Sequence, residues 1–98
     1  MAGTAFFAAP IQKELIPFLH FPKEDVLPSA EQRKLRQQNL EKATALGNLN
    51  HTKVCIIFRD IHGPKQVETT IWATTEESIV LKKGVVIPIR SIIDVHFV

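Results

Sequence analysis

Four histidines, one cysteine and ten carboxylates are the groups of this 98-residue chain with which chemistry could begin. No two of His20, His51, His62 and His96 stand at i, i+2 or i, i+4 from each other with a Cys or carboxylate partner, so metal-ligand spacing is missing. Cys55 lies mid-strand with no glycine elbow, and a reactive thiolate needs an electropositive, partly open setting. It reads as a buried structural thiol. Asp94 and His96 share a face of the last strand, a spacing common on solvated strands. Glu76 and Glu77 are neighbours in a turn, whereas paired catalytic carboxylates converge across a cleft. All four glycines are isolated, so no phosphate-cradling loop is present. The expected function is therefore non-enzymatic, with no metal or cofactor.

Two features point instead to binding. Trp72, flanked by Thr70 and Thr74, offers a flat aromatic face for a base or a peptide proline. The preferred alternative is that it packs beneath the helix with Leu40 or Leu46, where burial of the indole contributes about 2–3 kcal/mol. The stretch "LKKGVVIPIRS" sets Lys82, Lys83 and Arg90 around an alternating apolar run. Charge does not extend this into a footprint for polyanions: twelve Lys and Arg oppose ten Asp and Glu, evenly divided between the halves.

The elements that must hold these groups follow from periodicity. Residues 1–28 contain four of the six prolines and four of the six phenylalanines, Phe6, Phe7, Phe18 and Phe21. Such a segment suits neither a long helix nor a central strand, but it is too apolar for a solvated linker. An extended arm is expected, docked on its own domain, a second subunit or a partner. "PSAEQRKLRQQNLEKATALGN" predicts a helix from about Ala30 to Leu46, with Ser29 as N-cap, Gln32 as capping-box partner and Gly47 at C′. Leu35, Leu40, Ala43 and Leu46 would form its buried stripe, and Arg33, Lys34 and Arg36 its solvated flanks.

Beyond residue 50 the period becomes twofold. "TKVCIIFRD", "QVETTIWATTE", "SIVLK", "VVIPIR" and "IIDVHFV" read as five strands, separated by turns at Gly63-Pro64 and Lys83-Gly84. One face, with Val54, Ile56, Phe58, Val67, Ile71, Ala73, Ile79, Leu81, Ile87, Ile89, Val95 and Phe97, is apolar enough to be the interior. The other retains Cys55, Ile57, Trp72, Val80 and Val86, and needs cover from the helix or the arm. A mainly β, α+β domain over residues 29–98 is expected. Its strands would form a bent five-stranded antiparallel sheet that closes into a small barrel packed by the helix, or an open meander with the helix on one face.

This order of elements, "F-R-D-x-x-G" after the first strand and "I-P-I-R-S-I-I-D-V" across the last two strands resemble the Sm-like small β-barrel. The stretches "VETTIWATTE" and "LKKGVVIPI" are also similar to a wider group of small bacterial proteins, a likeness that implies no particular activity. The Sm-like resemblance implies ring-shaped oligomers that bind RNA or DNA through two loops. By position these are Thr74 to Ser78 and Arg90 with Ser91, and Lys82, Lys83, Arg90 and Arg59 would be phosphate contacts. The sequence departs from that pattern where Glu76 and Glu77 replace base-binding residues, since two carboxylates repel phosphate. The leading expectation is thus a protein-interaction or oligomerisation module with the Phe-rich arm as recognition element. Nucleic-acid binding is the alternative. The first residues lack a basic signal-peptide start, and no stretch approaches the roughly 18 apolar residues of a membrane span. A cytoplasmic location, away from membranes, is expected.

Overall fold

The computed structural model describes residues 7–97. One helix and seven strands, the first only two residues long, are arranged in two sheets. Helix α1 spans Ala30–Asn50, and strands β1 to β7 span Ala9–Pro10, Val54–Asp60, Gly63–Thr69, Ile71–Thr74, Ser78–Leu81, Val86–Pro88 and Ile92–Phe97. The first sheet has the order β1-β3-β2-β7 and the second β4-β5-β6. All pairings are antiparallel except β1 with β3. The mainly β character with one long helix is as expected.

The strands do not close into a barrel, and the expected second strand is two strands. β3 ends at Thr69 and β4 begins at Ile71 in the other sheet. Thr69 and Thr70 are both buried there, which an evenly alternating strand does not allow. Helix α1 packs against both β4 and β7, so it spans the gap between the sheets. The core beneath it contains Leu40 and Ala43 of the helix with Ile56, Phe58, Ile71, Ile79, Leu81, Ile87 and Ile92.

The start of the helix is the capping box expected. Ser29 Oγ accepts the Gln32 N–H at 3.1 Å, and Gln32 Oε1 accepts the Ser29 N–H at 3.4 Å. Its end and its buried face differ. The helix continues past Gly47 to Asn50 and stops at His51, whose left-handed φ of 55° ends it. Gly47 is an internal contact: a Cβ there would lie 2.5 Å from the Ile71 carbonyl oxygen. The buried stripe keeps the expected Leu40 and Ala43 but ends in Arg36 and Gly47, each one residue on from the expected Leu35 and Leu46, which are exposed and half-buried.

Two one-residue insertions disturb the alternation of the strands. Ile71 pairs with Leu81 but Ala73 with Val80, leaving Trp72 as an extra residue on β4. Ile57 pairs with Asp94 but Phe58 with Ile92, leaving Ile93 extra on β7. Each bulge reverses which side chains point inward. Ile92 therefore enters the core in place of Ile93, and Ala73 is only partly buried. Val95 stays inside, but Phe97 at the strand end is partly exposed, with Lys42 Nζ 5.1 Å above its ring.

The arm docks on its own domain. Residues 13–18 form a 3-10 helix whose Ile16 is fully buried, and Ala8, Ile11, Leu19 and Phe21 add to the same core. Phe21 meets Phe58 with ring centroids 6.1 Å apart at a 49° tilt, within the range of attractive aromatic contacts. Gln66 Nε2 donates to the Ala8 carbonyl at 2.6 Å, and the Ile61 N–H donates to the His20 carbonyl at 2.9 Å.

Candidate functional site

Trp72 is not packed under the helix, contrary to the favoured sequence reading. It is 47% exposed, at the β4 bulge and next to the fully buried Ile71, on the face that alternation gives it. The indole forms one wall of a groove of about 340 Å³, lined also by Lys13, His51, Lys53, Glu68, Thr70 and Lys82.

Each wall is fixed by the fold. Lys82 follows β5, and its N–H donates to the Thr70 carbonyl at 3.2 Å, which pins the turn after β5 to the β3–β4 bend. His51 is the left-handed end of the helix, and Thr70 Oγ1 donates to its carbonyl at 3.4 Å. Lys53 lies just before β2, and Lys13 opens the 3-10 helix of the arm. Lys13 pairs with Glu14 at 3.3 Å on the surface. Neither Lys53 nor Lys82 has a salt-bridge partner among the described residues. Three lysines and one acidic residue, Glu68, thus line the groove, and the charge of Lys13 is shared with Glu14.

The other expected contacts do not gather here. Arg90 lines a second groove, of about 540 Å³, where the segment Glu76–Glu77–Ser78 meets Pro88–Ile89–Arg90. The Ile89 N–H donates to the Glu77 carbonyl at 2.8 Å and ties these two loops together. That groove holds three arginines, Arg33, Arg36 and Arg90, beside Asp25, Glu76 and Glu77. Its arginines are engaged in holding the chain: Arg90 Nε donates to the Pro22 carbonyl at 2.7 Å and Arg33 Nε to the Leu27 carbonyl at 2.9 Å. Lys83, at φ 68° in the turn between β5 and β6, and Arg59, exposed at the far end of β2, line neither groove. Phe7 and Phe18 are exposed, Phe21 is part of the core, and Phe6 lies outside the described residues.

Arg36, read from sequence as solvated, is 7% exposed. Its two terminal nitrogens donate to the Asp25 carboxylate at 2.8 and 2.7 Å, and one also to the Ile92 carbonyl at 2.9 Å. Burial alone would push the Asp25 carboxyl up, but the Arg36 hydrogen bonds, the Leu27 N–H and the charges of Arg36 and Arg33 outweigh it and hold it low. Asp60, 1% exposed, follows the same logic: burial raises it, and the His62 N–H and the Lys65 ammonium more than compensate. Cys55 is half-buried and donates to Gln66 Oε1 at 3.3 Å. Burial, with Glu68 nearby, pushes its thiol up.

Sequence reasoning missed Lys13, Lys53 and His51 because the groove joins the arm, the helix end and a strand start. No local spacing links those positions. Among the described residues, no group of three or more His, Cys, Asp or Glu converges as a metal site, and no helix is long and apolar enough to cross a membrane. No known protein family matches the chain, and no curated protein or solved structure matches it either.

Proposed function

We propose that this chain is a non-enzymatic interaction module that associates with a second copy of itself across an apolar patch beside β6. The observation that carries this reading is the surface next to that strand. The 3-10 helix of the arm packs against β6 and leaves Leu15 51% and Phe18 78% exposed, and Val86 on β6 is itself 47% exposed. Large apolar side chains left exposed on two elements that pack together mark an interaction surface on a small domain. β6 is also an end strand of its sheet, so a row of backbone groups runs alongside the patch. Pro88 has no N–H to offer there, so the side chains rather than a long ladder would supply the affinity.

The recognition surface is thus the outer side of the docked arm, not an arm that orders on contact. A protonated Cys55 thiol is a poor nucleophile, which suits a binding role. What supports a small-barrel relationship is the bend at Thr70, where one residue separates β3 from β4, and the short 3-10 turn Ile89–Ser91 between β6 and β7. In an Sm-like assembly the free β6 edge of one copy would face the free β7 edge of the next, a head-to-tail contact that closes into a ring.

Light scattering on the full chain gives the test. A mass of two or more chains is expected, falling to one in a Phe18→Ser/Val86→Lys variant that keeps its circular dichroism. A full-length protein that stays monomeric at about 100 μM, well above the roughly micromolar range of specific association, overturns the reading. So does a variant that associates as the parent does.

A further inference from the structure

We propose that the groove at Trp72 is a binding site for single-stranded nucleic acid, with one base stacked on the indole and the adjoining phosphates held by Lys53, Lys82 and Lys13. Three observations meet at this place. The indole is 47% exposed and positioned by a bulge in a paired strand, so its face is presented without ordering a loop. Two of the three lysines have no ion-pair partner among the described residues, and the third is held only by an exposed contact to Glu14. The groove, at about 340 Å³, falls in the range of small-ligand sites.

The chemistry selects the ligand class. A flat aromatic face among ammonium groups fits an alternation of π surface and negative charge, which a single strand presents at every nucleotide. A duplex hides its base faces in the stack. A proline-rich peptide would satisfy the indole but leave Lys53 and Lys82 without a counter-charge. Glu68 on the groove wall opposes a phosphate placed next to it, so the strand is expected to run past His51, Lys53 and Lys82. This site is apart from the loops Thr74 to Ser78 and Arg90 with Ser91, where the arginines are engaged by carbonyls and carboxylates.

Trp72 is the only tryptophan, so its own fluorescence reports occupancy. The full chain is titrated with a ten-nucleotide oligouridylate at low salt, and binding is followed by tryptophan quenching and by anisotropy of the labelled oligonucleotide. Quenching is expected together with a rise in anisotropy. With about three phosphates neutralised, log affinity should fall with log salt at a slope of about −2. Trp72→Leu should weaken binding about tenfold, and Lys53→Gln/Lys82→Gln should weaken it and bring the slope to roughly −0.7, the value for one remaining phosphate contact. Binding unchanged in either variant, with native circular dichroism, overturns the assignment. So does no anisotropy change at about 100 μM protein, or equal affinity for a duplex of the same length.

Discussion

Burying a guanidinium is costly unless its donors find partners, and for Arg36, 7% exposed, Asp25 meets two of them and the Ile92 carbonyl shares one, while Nε has none. Asp25→Ala is therefore expected to cost about 3 kcal/mol, because it strands a buried cation. An Asp25→Ala/Arg36→Met variant should lose clearly less than the sum of its single changes in urea denaturation. The acid limb of stability follows from the same groups. Asp25 and Asp60 both lie below the ordinary value of 3.8 in the folded state, so the stabilisation they supply is complete above it and is lost as pH falls through their folded values. Urea midpoints should hold steady from neutral pH down to about 5, drop below about 4, and drop less steeply in Asp25→Asn. A midpoint in Asp25→Asn that tracks the parent at every pH would show that this carboxylate is not a source of the acid sensitivity. None of this was legible in the sequence. Arg36 sits among Arg33 and Lys34, and its partner is eleven residues away across a proline and the helix cap.

At the level of elements, the close approach of α1 to β4 depends on one missing side chain. A Cβ on Gly47 would meet the Ile71 carbonyl oxygen at 2.5 Å and the Thr70 methyl at 2.9 Å, and the first of these is backbone that cannot rotate away. In an isolated helix Gly→Ala gains about 1 kcal/mol. Here the gain should be reversed, with Gly47→Ala losing about 1–3 kcal/mol as helix and strand are pushed apart. A variant that melts above the parent would mean that this contact relaxes freely. The glycine was visible in the sequence, but as a helix stop, because a C′ glycine and a packing glycine look alike without the facing strand. What was legible was local: the Ser29–Gln32 box, and the β2, β5 and β6 segments with their core residues, whereas β3 begins at Gly63, within the stretch read as a turn. What escaped was the phase. A single extra residue at Trp72 or Ile93 breaks the alternation, so that Ile92 rather than Ile93 shares the interior with Val95, and nothing in residue type announces it. The Trp72 face was seen in sequence but not its exposure, because nothing local says whether the helix reaches it.

For the whole molecule the question is where the domain begins. Residues 1–28 read as an arm beside a complete domain over 29–98, yet the interior of that domain includes Ile16 at 0% exposure, Ala8 at 5% and the Phe21 ring against Phe58. The connections are spread along the segment: β1 on β3, His20 to Ile61, Pro22 to Arg90, and the Val26 N–H donating to the Arg90 carbonyl at 2.9 Å. A small chain has little core to spare, since its buried fraction is low to begin with. Ile16→Ala is expected to cost about 2–5 kcal/mol through lost burial and the cavity left behind, a large share of the roughly 5–10 kcal/mol that a domain of this size has. Deleting residues 1–28 removes Ile16, Phe21 and Asp25 together, and so also the partner of Arg36. Residues 29–98 alone should show no cooperative urea transition. If they instead unfold cooperatively at the parent midpoint, the segment is an appendage. The apolar patch of Leu15 and Phe18 would then ride on a detachable arm instead of on the domain.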